Sequence, residues 1–554
     1  MLHGEGHGRG EEPGGAALKN LPAYGAWNVE KVAAGTGEAL PGPAMLRCFV
    51  GATCPITGRS GKWAWCRVGV GGGRITDRAD RTTEPAVREG PLLRSRVTHR
   101  ERPVSARVAS PAKSLKVREL QRTLYRAAKA DPGRRFHALY DKVYRRDVMA
   151  WAWESVRANK GAAGIDRQTI ADIEEYGVDK LLGELVADLK DGSYRPLAAR
   201  RVFIPKPGRP TEQRPLSIPA VRDRIVQAAT KTVIEPIFEA DFGQCSFGFR
   251  PRRSAHDALQ VLVDEAWKGK RWVAETDIAS CYEEIPHDRL MSAIEERICD
   301  RKLLKLLRAM LRSGVLQDGA VTRSAAGTPQ GGVVSPVLCN VYLHRLDRQW
   351  QTRGHGILVR YADDLLAICS SRQEAQAALD ALRAILGELG LRLKEPKTRI
   401  VELRDGGEGF VFLGFEHRLA TARTRRGGQV EFLVRYPSPE AMRRARRRVS
   451  EITARRRLLL PVEQIVQELN LFLRGWSGYF RYGSSSLAFH QLMVHTYDRL
   501  CMFVAKRHKR GRPYARWLFA RGLRRRVGLF DLHDGRVIAP RANKPWRAKP
   551  NAAR

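Results

Sequence analysis

Two adjacent aspartates, Asp363 and Asp364, interrupt a stretch of otherwise apolar, β-prone residues, and few folds can hold them there. Ile357 to Arg360 precede the segment Tyr361-Ala362-Asp363-Asp364 and Leu365 to Ile368 follow it, a pattern that predicts a tight hairpin with the carboxylates at its tip. Like charges so close repel one another, and bound cations would offset that repulsion. A solvated polar turn is the competing reading, because aspartate is a common turn residue.

A third carboxylate favours the metal. Asp277 closes a second β-prone run, Trp272 to Asp277. A carboxylate ending one strand, beside a hairpin tip that carries another, can bring two cations to about 4 Å from each other. Such a pair suits in-line phosphoryl transfer: one ion acidifies an attacking 3′ hydroxyl while the other neutralises the departing pyrophosphate. Hard oxygen ligands favour two Mg2+ ions, with Mn2+ as a substitute.

Charge points the same way. Among 554 residues, 98 Lys and Arg stand against 59 Asp and Glu, a formal net charge of +39. A polyanion is the expected partner. No membrane is expected, because no run of about 18 apolar residues and no separate amphipathic anchor is visible. The nine cysteines include no C-x-x-C pair and lie in apolar stretches, which suits buried thiols in a reducing cytosol and argues against structural zinc. The first residues carry neither a basic stretch with an apolar core nor a cleavage site, so a cytoplasmic location is expected.

The chain is longer than the roughly 250–300 residues at which one core stops growing, so several domains are expected. Residues 1–110 are Gly-rich and Pro-broken without periodicity, and predict a poorly ordered extension. From Leu115, apolar spacings of three and four predict two amphipathic helices over 113–130 and 136–160, then a glycine-broken loop from Asn159 to Asp166 and a helix across Val178 to Leu189. Arg201 to Ala220 predict a hairpin with a basic tip carrying Lys206, Arg209 and Arg214. The mixture of helices and β-prone runs that follows indicates an α+β domain. From Pro437 the chain reads as helical: Ser438 caps and Pro439 opens a helix continuing through Arg457, with further helices over 461–483 and 487–509. A loosely held, Arg-rich tail is expected from Gly522.

With these motifs in order, the chain resembles the reverse transcriptases encoded by bacterial group II introns. Asn159 to Asp166 (NKGAAGID) resembles the family's N-terminal extension motif. IPKPG with RPLSIPAVRDRIVQ, SFGFRPRRSAHDAL and ETDIASCYEEIPHDRL resemble its successive finger and palm blocks. GTPQGGVVSPVLCNVYLHRLD, YADD, LRLKEPKTRI and FLGF complete the series. The resemblance implies a right-hand polymerase of α+β class. It would comprise the extension motif and fingers (111–260), a palm with an antiparallel sheet (261–420), a thumb and α-helical maturase (X) region (421–521) and a basic tail (522–554).

The resemblance also implies roles. Asp277, Asp363 and Asp364 match the metal-binding triad, with Ile278 added to the metal-holding set. Tyr282 would sit under the sugar and reject a ribonucleotide, a core aromatic being the alternative. Backbone from Ile278 through Ala279 and Ser280 to Cys281 would cradle the triphosphate at a helix start, although Cys281 stands where the family often has an aromatic. Lys206 and Arg214 would grip the β and γ phosphates, against the alternative of a solvated basic turn. Gln330 with Gly331 and Gly332 would support the templating base and nucleotide. Lys397 is a candidate proton donor to pyrophosphate, or else a phosphate-neutralising or exposed lysine.

In the thumb and X region, Arg443, Arg444, Arg447, Arg474, Arg481, Arg507 and Lys509 are expected to meet RNA backbone, while aromatics such as Trp476, Tyr479 and Phe480 pack as core. The implied partners are group II intron RNA, a DNA target or primer strand and dNTPs, in a cytoplasmic, nucleoid-associated ribonucleoprotein of monomeric or homodimeric state. The family's C-terminal endonuclease with paired cysteines is expected to be missing, so an existing 3′ end would serve as primer. The implied reaction is RNA-templated DNA synthesis coupled to splicing and retrohoming. Its rivals are a maturase that only binds RNA, and a domesticated reverse transcriptase in defence or repair. Residues 1–110 would be either an intron-specific RNA contact or, preferably, translation upstream of a start near Met45 or later.

Overall fold

An antiparallel four-stranded sheet stands between two hydrophobic cores. The computed structural model describes residues 111–206, 209–322, 325–423 and 427–532, so the expected N-terminal extension lies outside the described residues. In chain order the strands are β1 (Ala199–Lys206), β2 (Arg209–Ile218), β3 (Trp272–Asp277), β4 (Val315–Gln317), β5 (Ala320–Thr322), β6 (Ile357–Tyr361), β7 (Asp364–Cys369), β8 (Arg399–Glu402), β9 (Phe410–Phe412), β10 (Phe415–Arg423) and β11 (Gln429–Pro437).

The central sheet runs β6-β7-β3-β8, every neighbouring pair antiparallel. Because successive strand side chains point to opposite faces, one strand can serve two cores. On β7, Leu365, Ala367 and Cys369 enter the first core, while Leu366 and Ile368 enter the second. Val273 on β3 joins Leu366 and Ile368, whereas Ala274 joins the other side. Asp277 and Asp364 share the parity of Val273 and Leu366, so both carboxylates belong to the same face at one end of the sheet.

The first core gathers the helices on the N-terminal side. Its largest contributor, Val221–Glu239, is buried almost all round, from Val221 and Ile225 to Ile237 and Phe238. Beside it, β1 and β2 form the expected basic hairpin, extended by β4 and β5 in the order β2-β1-β4-β5. The helix expected over 136–160 divides into Tyr140–Val143 and Arg146–Ala158. The carboxylate of Asp300 accepts the N–H groups of Leu139 and Tyr140, both at 2.8 Å, and so starts the first piece there; Arg145 then takes an extended conformation, φ −58° and ψ 134°, that interrupts the helix.

The second core joins the sheet to the C-terminal helices. Leu413 and Gly414 both take positive φ, 50° and 78°, the type I′ pattern that suits a two-residue hairpin between β9 and β10. The Tyr479 hydroxyl donates to the Leu413 carbonyl at 2.9 Å and ties that turn to the helix Val462–Phe480. The Ser438 hydroxyl accepts the Ala441 N–H and Pro439 occupies the first turn of Pro439–Ile452, as its sequence predicts. That helix stops at Ile452 rather than Arg457, and Arg455–Arg457 form a separate 3-10 turn held by Arg457 on Glu468.

Of the expected tail, residues 533–554 lie outside the described residues, and the described part, 522–532, is packed rather than loosely held. Leu523, Leu529 and Leu532 are buried, and Asn470 brackets the segment by donating to the Gly528 carbonyl and accepting from the Phe530 N–H, at 2.8 and 2.7 Å. Residues 522–532 are therefore part of the second core. Among the described residues no helix is long and apolar enough to cross a membrane.

Candidate active site

The hairpin β6–β7 presents its carboxylates through a two-residue turn. Tyr361 pairs with Asp364 in the ladder, leaving Ala362 and Asp363 as the loop. Ala362 has φ +58°, a left-handed conformation that costs a residue with a Cβ roughly 1–2 kcal/mol. Across the sheet Asp277 pairs with Asp364 in register, and the Ile278 N–H donates to the Asp363 carbonyl at 3.1 Å. Backbone pairing thus brings the three carboxylates expected to act together to one end of the sheet.

Their environment is hostile to charge. Burial, then the charges of Asp363 and Asp277, push the Asp364 carboxyl up to about 7. Burial and Asp277 also raise Asp363, opposed by a backbone hydrogen bond and by the charges of Arg214 and Lys397. Asp277 is 7% exposed; its Oδ2 accepts from Lys397 Nζ at 2.6 Å, and its Oδ1 is buried with no hydrogen-bond partner. Burial works against the Lys397 charge, yet the bond to Asp277 and the neighbouring carboxylates raise its pKa.

An orphaned, buried carboxylate oxygen beside two carboxyls strained by mutual repulsion is a donor set that suits a hard divalent cation. Among the described residues no group of three or more His, Cys, Asp and Glu side chains forms a ready-made metal cage.

The nucleotide-binding residues are brought together only in part. Tyr282 is partly buried against the first core, and its carbonyl accepts the Thr328 N–H at 2.6 Å. Behind it Cys281 and Cys339 are buried with sulfurs 3.7 Å apart. The helix after Ser280 spans only Cys281–Glu284, too short to act as an extended dipole, and Ser280 itself is left-handed at φ +41°. The Ile278 and Ala279 amides are taken by the carbonyls of Asp363 and Arg392, so the expected cradle of four amides is reduced to those of Ser280 and Cys281. Arg214 is exposed opposite Ile204 in the hairpin, and its charge reaches Asp363. Lys206 ends β1; its side chain lies outside the described residues.

Gln330 and its glycines knit fingers to palm. The Gln330 carbonyl accepts the Ser217 N–H at 2.6 Å, and its Oε1 is buried without a partner. Gly331, at φ +113°, lies against the Ser217 carbonyl where a Cβ would collide, and a Cβ on Gly332 would come within 2.6 Å of Ser335 Oγ. Gln227, the last residue of the RPLSIPAVRDRIVQ block and given no role there, accepts the Val333 N–H at 2.8 Å and braces the same loop.

On the thumb, Arg443 and Arg447 are exposed, while exposed Arg444 pairs with Glu440 at 2.7 Å. Arg474 is exposed with its guanidinium over the Phe530 ring, and Arg481 is partly buried with Nε unpaired. Lys509 is exposed. Arg507 has an internal duty: it donates to the carbonyls of Leu458 and Leu460. Trp476, Tyr479 and Phe480 pack against one another around Phe415 and Phe489, as core aromatics should.

An antiparallel palm sheet with carboxylates at one end, a basic hairpin beside it and a helical thumb beyond it define a right-hand nucleotide polymerase. A model of the reverse transcriptase (RNA-dependent DNA polymerase) family matches residues 204–417, and one of the group II intron maturase-specific domain matches residues 442–522. The chain is 35% identical to Protein YkfC of Escherichia coli (strain K12) over 360 residues, covering 56% of this chain and 90% of that protein. It is 38% identical to the group II intron-encoded protein LtrA of Lactococcus lactis subsp. cremoris over 215 residues, 38% of this chain and 35% of LtrA. An uncharacterized 91 kDa protein in the cob intron of Schizosaccharomyces pombe is 26% identical over 412 residues, 62% of this chain and 50% of that protein.

The chain belongs to the group II intron reverse transcriptase/maturase family. RNA-directed DNA polymerase activity dependent on divalent metal, and binding of intron RNA and nucleic-acid substrates, are what its two domains bring.

Proposed function

We propose that this protein extends a DNA 3′ end with dNTPs on an RNA template, and that the same chain binds its intron RNA through the thumb and X region to assist splicing and retrohoming in the cytoplasm. The observation that carries the catalytic reading is the in-register pairing of Asp277 with Asp364, with Asp363 in the adjoining turn. Asp277 and Asp363, with Asp364 beside them and the Ile278 backbone adjacent, would hold two Mg2+ ions. When bound, these ions would acidify the primer 3′ hydroxyl and neutralise charge on the departing pyrophosphate.

The chain's own residues do the rest. Arg214, with Lys206 across the hairpin, draws the triphosphate toward the carboxylates and offsets its charge. Tyr282, packed against the first core, would floor the sugar with its ring and leave no space for a 2′ hydroxyl. The amides of Ser280 and Cys281 are available to phosphate oxygens, and Gln330 with Gly331 supports the base pair being read. Lys397 waits on Asp277. With its charge on the incoming phosphates instead, it can deliver a proton to pyrophosphate.

Primer extension on an RNA template tests this reading. The wild-type chain should extend a DNA primer with Mg2+, and Asp363→Ala should abolish extension while intron RNA binding stays within about twofold, since phosphate contacts made elsewhere govern that affinity. Extension by Asp363→Ala at the wild-type rate would remove the catalytic assignment.

A further inference from the structure

A closed, buried polar network lies beneath the catalytic turn. Arg360, the residue before Tyr361, is 0% exposed, as is its partner Asp347; Nε and Nη2 donate to the two Asp347 oxygens at 2.8 and 2.5 Å. The third nitrogen, Nη1, donates to Asn340 Oδ1 at 3.0 Å and to the Ala362 carbonyl at 3.3 Å. Asn340, 1% exposed, donates in turn to the Gly248 carbonyl at 2.9 Å. Gly248 completes the ring from the other side: a Cβ there would stand 2.5 Å from the Ala362 nitrogen and 3.0 Å from the Tyr361 carbonyl carbon.

The backbone repeats the clamp. The Arg360 N–H donates to the Cys245 carbonyl at 2.7 Å, and its carbonyl accepts the Phe247 N–H at 2.9 Å, so the segment before Gly248 covers the open edge of β6. Asn340 and Asp347 lie seven residues apart on the helix Ser335–Arg353, two turns along one face. Burial opposes the Arg360 charge, but Asp347 overrules it and the pKa rises.

A fully desolvated ion pair seldom repays its desolvation better than apolar residues of similar size. Here the arm of the pair that Asp347 leaves over, Nη1, reaches Asn340 and the Ala362 carbonyl, in the turn that carries Asp363. Ala362 is held at a φ that alanine disfavours, and such conformations persist only where the surroundings over-determine them.

We propose that Arg360, Asp347 and Asn340 are positioning residues for polymerisation: they lock the Ala362 turn against Gly248 and so fix where Asp363 presents its carboxylate. This rests on Asp363 being a metal-holding residue. None of the three touches substrate. A shift of the turn changes the rate of the chemical step and the affinity of the metal site, and leaves nucleotide and primer contacts in place.

The test separates positioning from mere stability. Replacing both members of the pair by apolar residues, Arg360→Met with Asp347→Leu, removes the desolvation burden along with the lock. The double variant should unfold within about 3 °C of wild type. It should bind primer–template with unchanged Kd and keep KM for dNTP within about twofold, while kcat falls roughly 10- to 100-fold. Mn2+ binding, followed by electron paramagnetic resonance without nucleotide, should weaken in parallel. A double variant with wild-type kcat and wild-type Mn2+ affinity overturns the proposal.

If that variant does not fold, Asn340→Ala carries the same question, because it cuts only the link between Arg360 and Gly248. Lower kcat and weaker Mn2+ binding with an unchanged melting point support the lock, and unchanged values of both sink it. Asp363→Ala is the companion control. Full activity there would fail the catalytic reading itself, whereas an inactive Asp363→Ala beside a fully active double variant fails only the positioning role.

Discussion

Asp277 and Asp364 are direct cross-strand partners, the last residue of β3 facing the first of β7. Like charges in that relation destabilise a sheet, and ordinary folding would place a β-branched or oppositely charged pair there. The turn adds Asp363 to the same end. Stability is given up locally to create a strong demand for positive charge, which Lys397, at 2.6 Å from Asp277, meets only in part.

The first prediction concerns pH. Asp364 is raised to about 7 in the folded chain, well above an unfolded aspartate near 4, so between these values the native state binds a proton that the unfolded state has released. The contribution is complete below the unfolded pKa and is lost as pH rises through 7. In EDTA, the melting temperature should therefore fall between about pH 4 and 7 more steeply for wild type than for Asp364→Asn, which cannot titrate. Parallel curves for the two proteins would count against a buried, repelled carboxyl. Divalent metal should flatten the wild-type curve by stabilising the charged form.

A second prediction follows from the Lys397–Asp277 pair. The lysine is half exposed, so its Coulombic hold is screened and modest. Replacing it by glutamine should free Asp277 for metal and tighten Mn2+ binding, measured without nucleotide, by about two- to fivefold, the equivalent of up to ~1 kcal/mol. In primer extension the same variant should lose kcat, because the ammonium no longer reaches the pyrophosphate. Weaker Mn2+ binding in Lys397→Gln would show that the lysine helps to build the metal site rather than competing for it.

That Asp277, Asp363 and Asp364 meet at one end of a sheet was legible in the sequence because each closes or opens a β-prone run, and the cap at Ser438 with Pro439 because capping is local. Asp347, Asn340 and Gly248 were not. All three lie inside quoted motifs, but their joint role arises only where the helix Ser335–Arg353 and the loop at 248 meet beneath the turn, a contact that no spacing in the chain specifies. The break in the helix expected over 136–160 likewise depends on Asp300, some 160 residues away. Arg507 shows a different limit, since composition cannot tell an arginine that binds carbonyls of its own chain from one that meets phosphate.

That difference is itself testable. Arg443 and Arg447 are exposed on the outer face of Pro439–Ile452, opposite buried Ala441, Ala445 and Val449. Changing both to alanine should leave the melting temperature unaltered and weaken RNA binding, flattening the slope of log K against log salt by about 1 to 2. Arg507→Ala should instead lower stability by about 1 kcal/mol as the carbonyls of Leu458 and Leu460 lose their donor. An unchanged melting point in Arg507→Ala with strongly weakened RNA binding would return that residue to the RNA interface.

The last prediction addresses the sugar. Tyr282 follows buried Cys281 and is anchored through its carbonyl to the Thr328 amide, so backbone on both sides fixes where the ring can go. If the ring excludes a 2′ hydroxyl by occupying its space, size matters and the phenol oxygen does not. Tyr282→Val should then reduce the preference for dNTP over rNTP, taken as the ratio of kcat/KM values, by roughly 10- to 100-fold, within what a change in pocket size supplies. Tyr282→Phe should keep the wild-type ratio. The valine substitution also removes packing from the first core, so its melting point should drop, and comparing dNTP turnover at a temperature where both proteins are folded isolates the effect on selection. A valine variant that discriminates as well as wild type would place the barrier on another residue, and a phenylalanine variant that loses discrimination would replace steric exclusion with a hydrogen bond from the phenol.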